Sequence, residues 1–166
     1  MRKAQVFHSQ HNTVHVVRYI GWVNYAIAPS LRQFFEVLLG EEKVTGMVFD
    51  LTRVLSIDST NLGLLARTAI RFRERHATCP VLVTINEELR AFLRSMSFQE
   101  IFQLTDENAL SAEGQSVGLE IASKGNMLNT MLEAHRALAD ISDDNRDRFA
   151  EVVMWLESEE EKRLRS

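Results

Sequence analysis

The chain predicts an α/β fold: a mixed β-sheet covered by helices, followed by a C-terminal helical hairpin. Three observations carry that expectation. Apolar runs of strand character, Met47-Val48-Phe49 and Val81-Leu82-Val83-Thr84-Ile85, are each followed by residues whose apolar positions recur at helical spacing. Strands alternating with helices in this way mark a sheet with a largely parallel section. Beyond residue 126 the strand-like runs stop, and only helical stripes remain.

Residues 5–8 and 13–20 read as two strands joined by a hairpin at Ser9-Gln10-His11-Asn12, with Gly21 breaking the second. Pro29 suits a first helical turn, and Leu31, Phe34, Phe35 and Leu38 form the buried stripe of that helix. Gly40 is placed to end it in the left-handed conformation. Met47-Val48-Phe49, closed by Asp50, forms the central strand, and a loop then leads to Ile57-Asp58-Ser59. From Leu62 the stripe Leu62, Leu65, Ala66, Ala69 and Ile70 predicts the central helix, with Asp58 or Ser59 as its N-cap. The strand at 81–85 precedes a helix capped by Asn86, with Glu87 and Glu88 at the end that favours acids and an apolar face of Leu89, Phe92, Leu93 and Met96. Residues 98–104 supply a last short strand, and Thr105 caps a brief helix to Leu110. The predicted order is β-β-α-β-α-β-α-β-α over roughly the first 112 residues.

Three of the seven glycines (Gly114, Gly118, Gly125) and three serines (Ser111, Ser116, Ser123) cluster between residues 111 and 126. The expected division is therefore a domain at 1–112, a linker at 113–126 and a helical extension at 127–166, with few contacts crossing between domain and extension. In the extension, Met127, Leu128, Met131, Leu132, His135 and Leu138 make one stripe, and Phe149, Val152, Val153 and Leu156 the other. Ser142 is the expected cap between them. Glu159 with Arg163 and Glu161 with Arg165 are spaced for i,i+4 ion pairs. The narrow stripes must bury against each other, the domain or a second copy, which makes a homodimer through these helices an expectation too.

At 166 residues, 45% hydrophobic and 25% charged, the chain has the composition of a soluble globular protein with a sizeable core. A formal charge of −4 argues against direct nucleic-acid binding, which requires a basic face. No apolar run reaches the length of a membrane span, and the basic start Met1-Arg2-Lys3 lacks the apolar segment of a signal peptide. A single Cys79 fits a reducing, cytoplasmic setting. There is no phosphate-binding glycine loop and no zinc spacing, so no cofactor is expected. His8, His11 and His15 lie close in sequence but need not converge on a metal, and the motif at Ser59 brings no histidine to activate a nucleophile. The protein is expected not to be an enzyme.

The stretch around Ser59 also carries a resemblance. A buried strand ending Asp50-Leu51, an apolar residue before Asp58-Ser59, and Leu62-Gly63 opening a helix resemble the STAS domain of anti-sigma factor antagonists. The family's usual Asp-Ser-Ser/Ala-Gly-Leu-Gly stands here as Asp58-Ser59-Thr60-Asn61-Leu62-Gly63, with Asn61 in place of the usual glycine. The resemblance implies a protein-binding switch. Ser59 would be phosphorylated by a serine kinase of the histidine-kinase-like ATPase fold, which brings its own ATP, and restored by a metal-dependent serine phosphatase. The unphosphorylated form would hold an anti-sigma factor or the kinase itself. A scaffold subunit of a larger signalling assembly, or a small-ligand or nucleotide sensor, are the alternatives the same fold serves.

Independently of the family, a helix N-terminus favours a phosphate on Ser59, and Thr60 is the nearest alternative acceptor. At 100° per residue, Leu64 falls opposite the buried stripe, beside Thr60, Arg67, Thr68 and Arg71. That face is expected to be exposed and to dock the partner, giving a partner-binding set of Asp58, Ser59, Thr60, Asn61, Leu64, Arg67 and Arg71.

Overall fold

In the computed structural model, which describes residues 3–107 and 114–166, a tight turn at Asn12-Thr13 joins β1 (Gln5–His11) to β2 (Val14–Val23). Asn12 adopts φ 55°, a left-handed conformation that asparagine tolerates well. The hairpin is therefore tighter than expected, and Ser9, Gln10 and His11 belong to the strand. Gly21 does not break β2. It takes φ 89° beside a shift in register, so the strand bulges and runs on to Val23.

A short 3-10 turn (Tyr25–Ile27), capped by Asn24, leads into α1 (Ala28–Gly40), with Pro29 in the first turn and Leu31, Phe35, Leu38 and Leu39 buried. Gly40 is not a left-handed cap; it stays helical, and the chain leaves through Glu41 in extended conformation. The central strand β3 (Gly46–Ile57) is longer than the sequence suggested. In place of a loop after Asp50, it pairs in parallel with β2 as far as Val23↔Ile57. The reason is the length of β2, whose row of backbone donors and acceptors needs partners along its whole run.

Then follow α2 (Ser59–His76), β4 (Val81–Val83), α3 (Glu87–Ser95) and β5 (Gln103–Thr105). Asn86 caps α3 as expected, accepting from the amides of Glu88 and Leu89. The last strand begins at Gln103 and not at Phe98. Ser97 turns the chain at φ 63°, and Phe98 drives into the core from a 3-10 turn. The brief helix expected after Thr105 lies largely outside the described residues.

The sheet order is β5-β4-β3-β2-β1-β6. β2 to β5 are parallel, and β1 is antiparallel to both neighbours. Here β6 (Gln115–Ser116) comes from the segment expected to be a loose linker. That segment lies on the domain: Val117 donates its amide to Val6, and Ser30 and Glu120 exchange hydrogen bonds.

The hairpin is α4 (Lys124–Ile141) and α5 (Asp143–Arg165), capped by Ser123 and Ser142. At its end the ion pairs are i,i+3 (Glu159–Lys162 and Glu160–Arg163), not the expected i,i+4 set. The expectation of few contacts across the linker fails. Ala137, Leu138 and Phe149 belong to the same buried cluster as Val17, Tyr19, Phe35, Phe49 and Phe102. Asn145, fully buried, donates to the carbonyls of Met96 after α3 and Leu138 in α4 at 2.8 and 2.9 Å. Among the described residues, no helix is long and apolar enough to cross a membrane.

Candidate functional site

The carboxyl ends of β2 and β3 set the position of Ser59. The amide of Asp58 donates to the carbonyl of Val23 at 3.1 Å, which ties the start of α2 to the end of the parallel pair. Asp58 is the N-cap, extended at ψ 170°, and its Oδ1 accepts from the amide of Asn61 at 3.0 Å and from the Asn61 side chain at 2.9 Å. Asn61 thus spends its side-chain donor on the cap, a bond that the family's usual glycine lacks.

With Asp58 capping, the hydroxyl of Ser59 is left for another partner, and that partner comes from the hairpin. Ser59 Oγ lies 3.0 Å from His135 Nε2, while His135 Nδ1 lies 2.7 Å from the Met131 carbonyl. A carbonyl only accepts, so Nδ1 carries the hydrogen; in the neutral ring Nε2 is then the acceptor and Ser59 donates to it. His135 is 4% exposed, with Phe149 packed edge-on at 6.2 Å, whereas Ser59 itself is exposed. His135 stood on a stripe of apolar residues in the sequence, and a polar residue in that position was the one available sign of this contact.

The outer face of α2 is not the exposed surface expected from the sequence. Leu64 is 1% exposed, and Thr60, Asn61 and Thr68 are buried as well. α1 and α4 close over it. Gly63 meets α4 so closely that a Cβ there would overlap the carbonyl of Ala134. Arg32 of α1 makes two hydrogen bonds to Glu133 of α4, at 2.6 and 2.8 Å, and Arg67 approaches the same carboxylate at 3.5 Å. Arg67 and Arg71 both also hold Glu36 of α1. Burial by itself would raise the Glu36 carboxyl, but the hydrogen bond and charge of Arg67, with Arg71 and Arg32 nearby, bring it below its ordinary value. So Asp58, Ser59, Thr60, Asn61, Leu64, Arg67 and Arg71 do gather at one end and one face of α2, but Thr60, Asn61 and Leu64 are buried, Asp58, Arg67 and Arg71 are half-buried, and only Ser59 is exposed.

Sequence reasoning also missed the exposed apolar residues near the carboxyl ends of β2 and β3. Trp22 and Tyr25, in and just after the end of β2, and Leu55 near the end of β3 are 43%, 53% and 60% exposed. β-strand neighbours alternate between faces, so outward apolar residues on strands buried elsewhere carry no periodic sign. Of the histidines near the N-terminus, His8 Nε2 is 2.7 Å from His15 Nδ1 and His15 Nε2 is 3.0 Å from Glu41, while His11 lies 3.4 Å from the Ser9 hydroxyl. Burial, then the neighbouring His15, lowers the His8 pKa despite Glu41.

On the opposite side of β3 from Phe49, Asp50 accepts from the Thr52 hydroxyl and amide at 2.7 and 2.9 Å and from Arg18 at 3.0 Å. Burial pushes its carboxyl up, and these bonds overcome it, leaving it below the ordinary value.

The STAS domain family model matches residues 8–110, which hold β2 to β5, α1 to α3 and most of β1. A comparison with curated proteins gave no match. Among solved structures, the fold is similar to an anti-sigma factor antagonist from Mycobacterium paratuberculosis, at 21% identity over 63% of this chain and 87% of that one, TM-score 0.55. It is also similar to the anti-sigma factor antagonist SpoIIAA in its unphosphorylated form, at 16% identity over 61% of this chain and 89% of that one, TM-score 0.54. The Bacillus cell fate determinant SpoIIAA in the phosphorylated form is similar at 16% identity over 61% and 92%, TM-score 0.51. A mixed sheet in this order, with Asp58-Ser59 opening the helix that follows its central strand, and a family match over more than half the length mean that the chain belongs to the STAS domain family, extended by a C-terminal helical hairpin.

Proposed function

We propose that this protein is a phosphorylation-controlled binding switch of the anti-sigma factor antagonist type. It holds an anti-sigma factor or a partner kinase while Ser59 is free, and lets go when Ser59 is phosphorylated. The observation that carries this reading is the presentation of Ser59: an exposed residue whose hydroxyl is not used for capping, at the first position of a helix whose next turns are buried. A kinase would transfer the γ-phosphoryl group of ATP to Ser59 Oγ, with ADP leaving and the hydroxyl proton released. A phosphatase would hydrolyse the ester to free serine and inorganic phosphate.

The physical basis of release is charge. A phosphate brings roughly −1.5 to −2 charges at neutral pH, and the first-turn amides of α2 tolerate it. A partner packed closely on Ser59 does not, because a desolvated dianion at a close-fitting surface costs several kcal/mol, about a hundredfold in affinity or more. Affinity capture from cell extract with Ser59→Ala against Ser59→Asp, followed by calorimetry on the captured partner, tests this. Ser59→Ala should remain competent and the phosphorylated protein should bind at least about a hundredfold more weakly. Equal affinity for the free and phosphorylated forms would falsify the switch.

A further inference from the structure

We propose that the α4–α5 hairpin is a built-in competitor for the face of α2, and that His135 fastens it to Ser59 more tightly once that serine carries a phosphate. The proposal rests on the reading of Ser59 as the phosphorylated residue, and adds an intrachain reader of that modification.

The fit of the hairpin is specific. Three consecutive residues of α4 make three different kinds of contact: Glu133 takes Arg32 and Arg67, Ala134 lies against the bare backbone of Gly63, and His135 takes the Ser59 hydroxyl. These are features of a docking interface, namely a charge clamp, a close crossing at small residues and a directional hydrogen bond. Thr60, Asn61 and Leu64, on either side of the Gly63 crossing, are all buried, so a protein that engages them must displace what packs on this part of α2, where α4 lies. The hairpin occupies the surface a helical partner with an acidic and a small residue side by side would need.

Phosphorylation changes the bond between Ser59 and His135. In the free protein it is a neutral O–H···N hydrogen bond. Replacing the hydroxyl hydrogen by a phosphoryl group removes the donor and sets acceptor oxygens before Nε2. His135 resolves the conflict by taking a proton from solvent: Nε2–H then donates to the phosphate, while Nδ1–H stays on the Met131 carbonyl. A hydrogen bond between an imidazolium and a phosphate is roughly twice as strong as the neutral one it replaces. The groups around the ring do not compete for the proton: Asp58 is held by the Asn61 amides, Glu133 by Arg32, and α5 offers the Phe149 ring.

The test needs no partner. The full chain is made with serine or with genetically encoded phosphoserine at position 59, and amide deuterium exchange is followed by mass spectrometry. Phosphoserine should slow exchange across α4, α5 and the first turns of α2 by about fivefold to tenfold, with β1 to β3 unchanged. The ¹⁵N shift of His135 Nε2 should move to that of an imidazolium. His135→Gln, which keeps a polar contact but cannot take a proton, should abolish the slowing; His135→Asn serves if the glutamine variant does not fold. Glu133→Arg should speed exchange in both α4 and α2, and adding Arg32→Glu should restore it. Exchange that is equal or faster in the phosphorylated protein, a neutral His135 there, or slowing that survives His135→Gln overturns the latch. Faster exchange in α4 with none in α2 after Glu133→Arg overturns the competition. Because these readouts contain no partner, their failure leaves the release of the partner to its own calorimetric result, and the reverse holds as well.

Discussion

At the scale of single residues, Leu64 and Asp50 make the sharpest predictions. Leu64 belongs to the buried core cluster and not to a free surface, so Leu64→Ala should lower stability by about 2–5 kcal/mol in a chemical denaturation series. A change under about 0.5 kcal/mol would return it to the surface. Asp50 is ionised in a buried site that pairs it with Arg18 and Thr52. Its folded pKa lies below the ordinary 3.8, so its contribution to stability is fully present above that value and is lost as pH falls through the folded pKa. Melting temperature followed from pH 7 downward should fall below about pH 4 more steeply for the wild type than for Asp50→Asn, which starts lower at neutral pH because it leaves Arg18 with a neutral partner. Parallel curves would show that Asp50 does not govern the acid limb.

Among the elements, the crossing of α2 and α4 at Gly63 decides how the extension sits. The family motif already places a glycine there, and in this chain the missing Cβ admits the Ala134 carbonyl. Gly63→Ala should cost stability despite alanine's better helix propensity, since backbone cannot move aside as a flexible side chain can. A gain in melting temperature would mean that the helices separate without penalty. The second tie, Asn145 to Met96 and Leu138, joins the turn of the hairpin to the end of α3. Asn145→Ala leaves two buried carbonyls without that donor, and denaturation should register a loss of about 1–3 kcal/mol.

For the whole molecule, the question is whether the STAS portion stands without its extension. Removing residues after Ala112 strips α2 of α4, which packs on Gly63, and takes Ala137, Leu138 and Phe149 from the shared core. The truncated chain is expected to keep the far-ultraviolet dichroism of its strands and α1–α3, to melt well below the full chain, and to bind a hydrophobic dye. An unchanged melting temperature would make the hairpin a passenger on the fold.

Much of this architecture was legible in the chain itself. The alternation of apolar runs with helical stripes specified the existence of β1–β5 and α1–α3, though not of β6, because periods of 2 and 3.6 are imposed by local backbone geometry. The caps at Asp58, Asn86 and Ser142 and the motif that places Ser59 at the start of α2 are equally local, since each is a side chain within three residues of the amide it serves. Tertiary structure decided what periodicity cannot encode. A helical stripe says which residues of α2 can face a sheet, but not that a second layer, arriving from seventy residues downstream, covers the other side; Ser59 and His135 are 76 positions apart. The same holds for the reach of β3 to Ile57, set by the length of its neighbour β2, and for Gly63, whose missing Cβ acquires meaning only when Ala134 lies against it. Local pattern fixes what each segment can be; which of its faces remains open to a partner depends on contacts between segments that no window of sequence contains.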